Sequence, residues 1–217
     1  MENISPIVQF FISRGVPLET VVMLLMLPIL MTFIAFLRQV VGIKAFGIYT
    51  PAIATFAFWG IERLRYGVAI FVTVIIVGML MRYVLKKFRI LYLPRVAINL
   101  TVVSISILLL LALGGEFQRT GLSSAFIFPI LILITLVEKF VAAQIEKGNR
   151  AALILAVETL IISVMGFYII SWNFLETIIL TYPSIVLLTI PVNFVLGKWN
   201  GLRLSEYFRF KDVLKKM

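Results

Sequence analysis

Long apolar runs alternate with short polar links along the whole chain. Taken as membrane crossings they are Val16 to Leu37, Ile43 to Ile61, Tyr66 to Leu85, Tyr92 to Leu113, Thr120 to Gln144, Arg150 to Ser171 and Leu175 to Gly197. Glu62-Arg63-Leu64-Arg65 and Lys86-Lys87-Phe88-Arg89 are typical of the links. A hydrocarbon core of about 30 Å takes about 20 apolar residues per helix, so each run is long enough to span. The pattern predicts an all-α integral membrane protein with seven transmembrane helices over residues 16–201. Residues 1–15 read as an interfacial segment, with Ser5-Pro6 as a helix start and an apolar run too short to cross. Residues 202–217 read as a cytoplasmic amphipathic helix, Leu204, Tyr207, Phe208 and Leu214 on one side and Arg209, Lys211, Lys215 and Lys216 largely on another. Docking to anionic lipid or to a partner would use the same face.

The pattern is faulted in one place and then again. Val41 to Phe58 is interrupted by Gly42, Gly47, Thr50 and Pro51, where an ordinary spanning helix keeps an unbroken run of good helix formers. Thr120 to Thr135 repeats the outline, with Phe128-Pro129 set against Thr50-Pro51. Two faults three crossings apart run in opposite directions, which predicts inverted repeats of three helices, crossings two to four and five to seven. Broken helices in inverted halves expose backbone groups that a cavity or ligand satisfies, which makes Gly47, Tyr49, Thr50, Pro51, Phe128 and Pro129 candidates for a substrate or ion pathway. Simple kinks and close packing use the same residue types.

Composition narrows the chemistry. Of 217 residues 62% are hydrophobic and 14% charged, against roughly 25% charged in a soluble domain. The absence of Cys and His removes disulfides, thiolate nucleophiles, imidazole bases and the usual zinc ligand sets, and no cofactor or metal is expected. The net charge of +10 reads as topology and anionic lipid, with no nucleic-acid partner. Of the 20 Lys and Arg, only Arg14, Arg63, Arg65 and Arg119 fall on one side of the predicted crossings. The positive-inside rule then puts the N-terminus outside and the C-terminus in the cytoplasm, in a multi-pass protein of the cytoplasmic membrane. Small and polar residues would serve contacts within one chain or between copies in a homo-oligomer alike.

Charges at membrane depth are costly and mark function by default. Glu158 lies about 12 Å into crossing six at 1.5 Å per residue. Arg95 and Asn99 on crossing four, Glu138 on crossing five and Asn193 on crossing seven share its half of the membrane. Arg95 is the expected partner of Glu158, a long guanidinium reaching inward from the interface. A proton or ion relay through Glu158 and a structural ion pair joining helices both fit. An intramembrane hydrolase using Glu138 and Glu158 as acid and base is disfavoured, since no nucleophile with a matched base accompanies them.

Four segments together carry a resemblance: GIKAFGIYTPAIATFAF from Gly42, LYLPRVAINL from Leu91, FPILILITLVEKFVAAQIEKGNRAALILAVETLIISV from Phe128, and YPSIVLLTIPVNFVLGKWNGLRLSEYFRF from Tyr182. The chain resembles the seven-helix membrane domain usually fused to an inactive transglutaminase-like domain and, more distantly, the membrane subunit of poly-γ-glutamate capsule synthesis and export. That resemblance implies a non-enzymatic membrane subunit working beside a cytoplasmic ATP-grasp, glutamate-ligase-like enzyme and an extracytoplasmic transglutaminase-like domain. It would anchor or help export a peptide or oligoglutamate. It supplies no catalytic residues. The rival reading is a small ion- or proton-coupled transporter built on Glu158 and the Pro-broken crossings two and five.

Overall fold

Helix is the only regular structure among the described residues, as a chain solvated by lipid requires, because each backbone N–H and C=O must find its partner within the segment. The computed structural model describes residues 4–61, 64–88, 90–116 and 127–199. Helices α1 (Pro6–Ser13), α2 (Leu18–Phe36), α3 (Tyr49–Gly60), α4 (Leu64–Leu85), α5 (Tyr92–Glu116), α6 (Ile127–Lys147), α7 (Asn149–Ile170), α8 (Asn173–Thr181) and α9 (Thr189–Gly197) follow in order. Five of the predicted crossings appear as long apolar helices: α2 with its π-helical continuation to Val41, α4, α5, α6 and α7. The start of crossing five at Thr120 and the amphipathic helix expected over 202–217 lie outside the described residues.

The other two crossings depart from a plain span. In crossing two only Tyr49–Gly60 is α-helical, and 12 residues reach about 18 Å, well short of the hydrocarbon thickness. Crossing seven, expected as one run, is α8 and α9 joined through a 3-10 turn at Pro183–Leu188, with a bend of 102°. Pro183 explains the break, since its ring removes a donor and clashes with the preceding turn.

The chain forms two compact units. The first, residues 1–44 and 168–217, buries Met26, Leu30 and Ile34 of α2, Val8 of α1 and Ile179 of α8. Helix α1 starts where Ser5 Oγ accepts from the Val8 N–H at 3.4 Å, and the Ser5 N–H donates to the Leu180 carbonyl at 3.0 Å. Helix α2 passes through Pro28 without ending, and Thr32 Oγ1 donates back to the Pro28 carbonyl at 2.8 Å.

The second unit, residues 45–167, has its core in Phe58 of α3, Phe71 and Val74 of α4, Val103 of α5, Val137 and Phe140 of α6 and Ala156 of α7. Lipid tails are as apolar as these side chains, so close packing rather than water exclusion holds such helices together. Glycine sits where a large side chain of a neighbouring helix presses on the backbone. A Cβ on Gly67 would stand 2.6 Å from Cδ1 of Phe58, whose ring is fully buried and edge-on to Phe71 at 6.2 Å. Gly67→Ala is therefore expected to cost about 1–3 kcal/mol through overpacking, read as a lowered unfolding midpoint in detergent. An unchanged midpoint would show that the Phe58 ring is free to move.

Helices α3 and α6 run antiparallel. Phe46, just before α3, meets Phe140 late in α6 at 6.4 Å, while a Cβ on Gly60 at the end of α3 would lie 2.8 Å from Cγ of Pro129 at the start of α6. Pro51 is the third residue of α3 and Pro129 the third of α6, so the register read from the sequence places both prolines in a first turn. A proline there costs little, because those N–H groups have no intrahelical acceptor.

Candidate functional site

The chain changes character at Gly42, between crossings one and two. The π-helical turn Leu37–Val41 stops there at φ +92°, Ala45 takes φ +42°, and Gly47 takes φ +81° before α3 begins. Glycine adopts positive φ freely, whereas for alanine the left-handed region costs about 1–2 kcal/mol. A segment of this kind leaves backbone donors without helical acceptors, and in a membrane they must be answered from inside the protein.

Helix α7 answers them. Glu158 Oε2 accepts from the Ala45 N–H at 3.1 Å, and Thr159 Oγ1, fully buried, accepts from the Phe46 N–H at 3.0 Å while donating to the Leu155 carbonyl at 2.7 Å. One turn on, Ser163 Oγ donates to the Pro51 carbonyl at 3.1 Å, and Thr55 Oγ1 donates to the Pro51 carbonyl at 2.8 Å and the Ser163 carbonyl at 3.2 Å. A run of four polar side chains thus joins the faulted crossing to an unbroken helix. Glu158 thus holds a main-chain N–H of the turn that precedes α3, outside the helix itself.

The expected Arg95–Glu158 pair does not form. Arg95 Nη2 donates instead to the Ile90 carbonyl at 3.0 Å, in the loop that leads into its own helix. The nearby backbone takes one arm of the guanidinium, and Glu158 is turned to the broken segment. Neither partner was visible in spacing alone, because both are main-chain groups.

A second polar cluster sits at the N-terminal end of α5. A cavity of about 220 Å³ is lined by Arg82, Leu85 and Lys86 from the end of α4 and the residues after it, Arg95 and Asn99 from α5, and Val141, Gln144 and Ile145 from α6. Arg82 Nη1 donates to the Gln144 carbonyl, and Asn99 Nδ2 donates to the Arg95 carbonyl at 2.9 Å. Asn99 and Gln144 are almost fully buried, at 2% and 1% exposed.

Of the residues singled out from sequence, the second unit brings Pro51 and Glu158 to the polar run, buries Thr50, and brings Arg95 and Asn99 to the cavity. Gly47 is exposed, and Tyr49 and Phe128 are exposed at 70% and 76%, so neither aromatic lines an enclosed path. Pro129 packs at Gly60, and Glu138 is exposed on α6. Asn193 belongs to the first unit, where its Nδ2 donates to Thr32 Oγ1 at 2.7 Å and to the Thr189 carbonyl at 2.8 Å. Sequence reasoning missed Thr55, Thr159 and Ser163, whose signal was their spacing at one helical turn along faces that meet Pro51. It also missed Arg82 and Gln144, which stand in the last turns of their helices like any interfacial polar residue.

A family model described as seven transmembrane helices usually fused to an inactive transglutaminase matches residues 5–214. No curated protein and no solved structure matches the chain.

Proposed function

We propose that this chain, which belongs to the family of seven transmembrane helices usually fused to an inactive transglutaminase, is the non-enzymatic membrane part of an assembly that handles a peptide or oligoglutamate. In this reading an ATP-grasp ligase makes the acidic product at the cytoplasmic face, and an extracytoplasmic transglutaminase-like domain meets it on the far side. The chain holds the product or passes it outward, with its C-terminus in the cytoplasm and most of its Lys and Arg on that side. The observation that supports this best is the faulted start of crossing two, whose backbone is met by Glu158 and Thr159 of α7 rather than left to lipid. Membrane proteins that move polar cargo keep such non-helical backbone where the protein interior can satisfy it.

Purification from native membranes, followed by mass spectrometry of proteins and bound small molecules, tests the assembly. An ATP-grasp ligase and a glutamate-rich product are expected to travel with the chain. Recovery of the chain without either would refute the role.

The coupled-transporter reading rests on a different observation: an ionisable carboxylate, half-buried at membrane depth, holds the turn that precedes α3. If protonation of Glu158 drives transport, Glu158→Gln keeps an acceptor for Ala45 and the fold, yet abolishes proton-dependent uptake into vesicles. Uptake that survives this substitution would dismiss the coupling.

A further inference from the structure

The geometry points to a phosphate-binding site in the cavity between the ends of α4, α5 and α6, placed to take the phosphate of an anionic lipid headgroup. Arg82, Lys86 and Arg95 line one small space, and no Asp or Glu is among the lining residues. Three cations without a carboxylate in the lining make a local field that favours an anion, and a phosphate offers several strong acceptor oxygens to them at once.

The second observation is independent of charge. Arg95 Nε, Gln144 Nε2 and Asn99 Oδ1 are closed off from solvent and carry no hydrogen bond among the described residues. Buried polar atoms are nearly always paired, because leaving one unpaired costs about 1–3 kcal/mol. The residues that carry these two unpaired donors and one unpaired acceptor, Arg95, Gln144 and Asn99, line the same cavity as Arg82 and Lys86. The donors suit phosphate oxygens. The Asn99 carbonyl suits an O–H, either on a singly protonated phosphate or on a polar headgroup.

Position decides the source. Arg82 lies in the last turn of the 22-residue α4, Arg95 is the fourth residue of α5, and Gln144 is three residues from the end of α6. That is the depth at which headgroups begin, and basic pockets between helices at that level suit lipid phosphates. Leu85, Val141 and the half-exposed Ile145 give the cavity an apolar margin along which an acyl chain would lie. This inference stands apart from the handling of an acidic peptide.

The test uses the full chain in nanodiscs of phosphatidylcholine with and without phosphatidylglycerol, and native mass spectrometry of the lipids that stay bound. Wild-type protein is expected to retain one phosphatidylglycerol in preference to phosphatidylcholine. Arg82→Gln with Arg95→Gln should weaken that preference roughly tenfold or more, whereas Lys87→Gln with Lys139→Gln, the same charge change outside the cavity, should leave it within about twofold. Asn99→Asp, nearly isosteric, guards against misfolding of the arginine variant: it too should lose the lipid, by placing a negative charge beside the phosphate. Inorganic phosphate that binds where the lipid does not would keep the site and assign it to a soluble phosphate. Equal retention by all variants, or binding of a glutamate-rich peptide in place of both phosphate probes, would overturn the proposal.

Discussion

Glu158→Leu combined with Thr159→Val is expected to destabilise the second unit by up to about 2–6 kcal/mol, because two part-buried backbone donors lose their acceptors, at up to about 1–3 kcal/mol each. The donors are the N–H groups of Ala45 and Phe46, at 3.1 and 3.0 Å from the side chains removed. A competing effect runs the other way. Deleting a charge at membrane depth relieves an insertion cost of about 2.5–3.5 kcal/mol. That relief applies equally to α7 inserted alone and to α7 packed in the unit, so to first order it drops out of the packing step. The orphaned donors remain. Glu158→Gln with Thr159→Ser keeps both acceptors and should lose less than about 1 kcal/mol. The comparison is made by denaturant titration in mixed micelles. Equal loss in the two double variants would mean that side-chain shape, and not the hydrogen bonds, holds the segment.

Phe140→Ala should be the most damaging single change in the core. The ring is fully buried, meets Phe46 edge-on at 6.4 Å, and lies against the glycine face of α4, where a Cβ on Gly78 would come within 3.1 Å of its Cδ1. Phe→Ala costs about 3–5 kcal/mol in water-soluble cores, and the share due to leaving water is lost when the solvent is lipid. A cost of about 2–3 kcal/mol from the cavity and lost contacts is left. Gly78→Leu alone should also destabilise, by overpacking at about 1–3 kcal/mol. Placed in the Phe140→Ala background the leucine fills the space, so the double variant should be more stable than the sum of the two losses predicts. Strict additivity would show that the two positions do not share the contact.

What the sequence disclosed and what it withheld follow from one physical fact. Length and apolarity locate spans, and α4, α5 and α7 begin and end within two or three residues of the runs read from the chain. These helices are apolar nearly all round, so their periodicity does not say which face meets protein and which meets lipid. Glu158 could therefore be recognised as costly but not paired, and the acceptor role it plays toward Ala45 N–H depends on a backbone fold with no residue signature of its own. Gly42 and Gly47 signalled the fault, and both adopt positive φ. Ala45, which does the same, carried no such signal. The bend at Pro183 was legible in principle, yet the apolar run on both sides of it satisfies the length test for one span. Arg82, Arg95 and Gln144 converge only because three helix ends meet, and nothing along a single chain announces that meeting.

The central claim is that the interrupted crossing is held in place by side chains of α7. Amide hydrogen exchange at Ala45 and Phe46, measured in nanodiscs for wild type and for Glu158→Leu with Thr159→Val, tests it most directly. Both amides should be protected in the wild type, well beyond an open loop, and should lose that protection in the variant while the amides of α5 keep theirs. Fast exchange at both positions in the wild type, or protection that survives the double substitution, would contradict it.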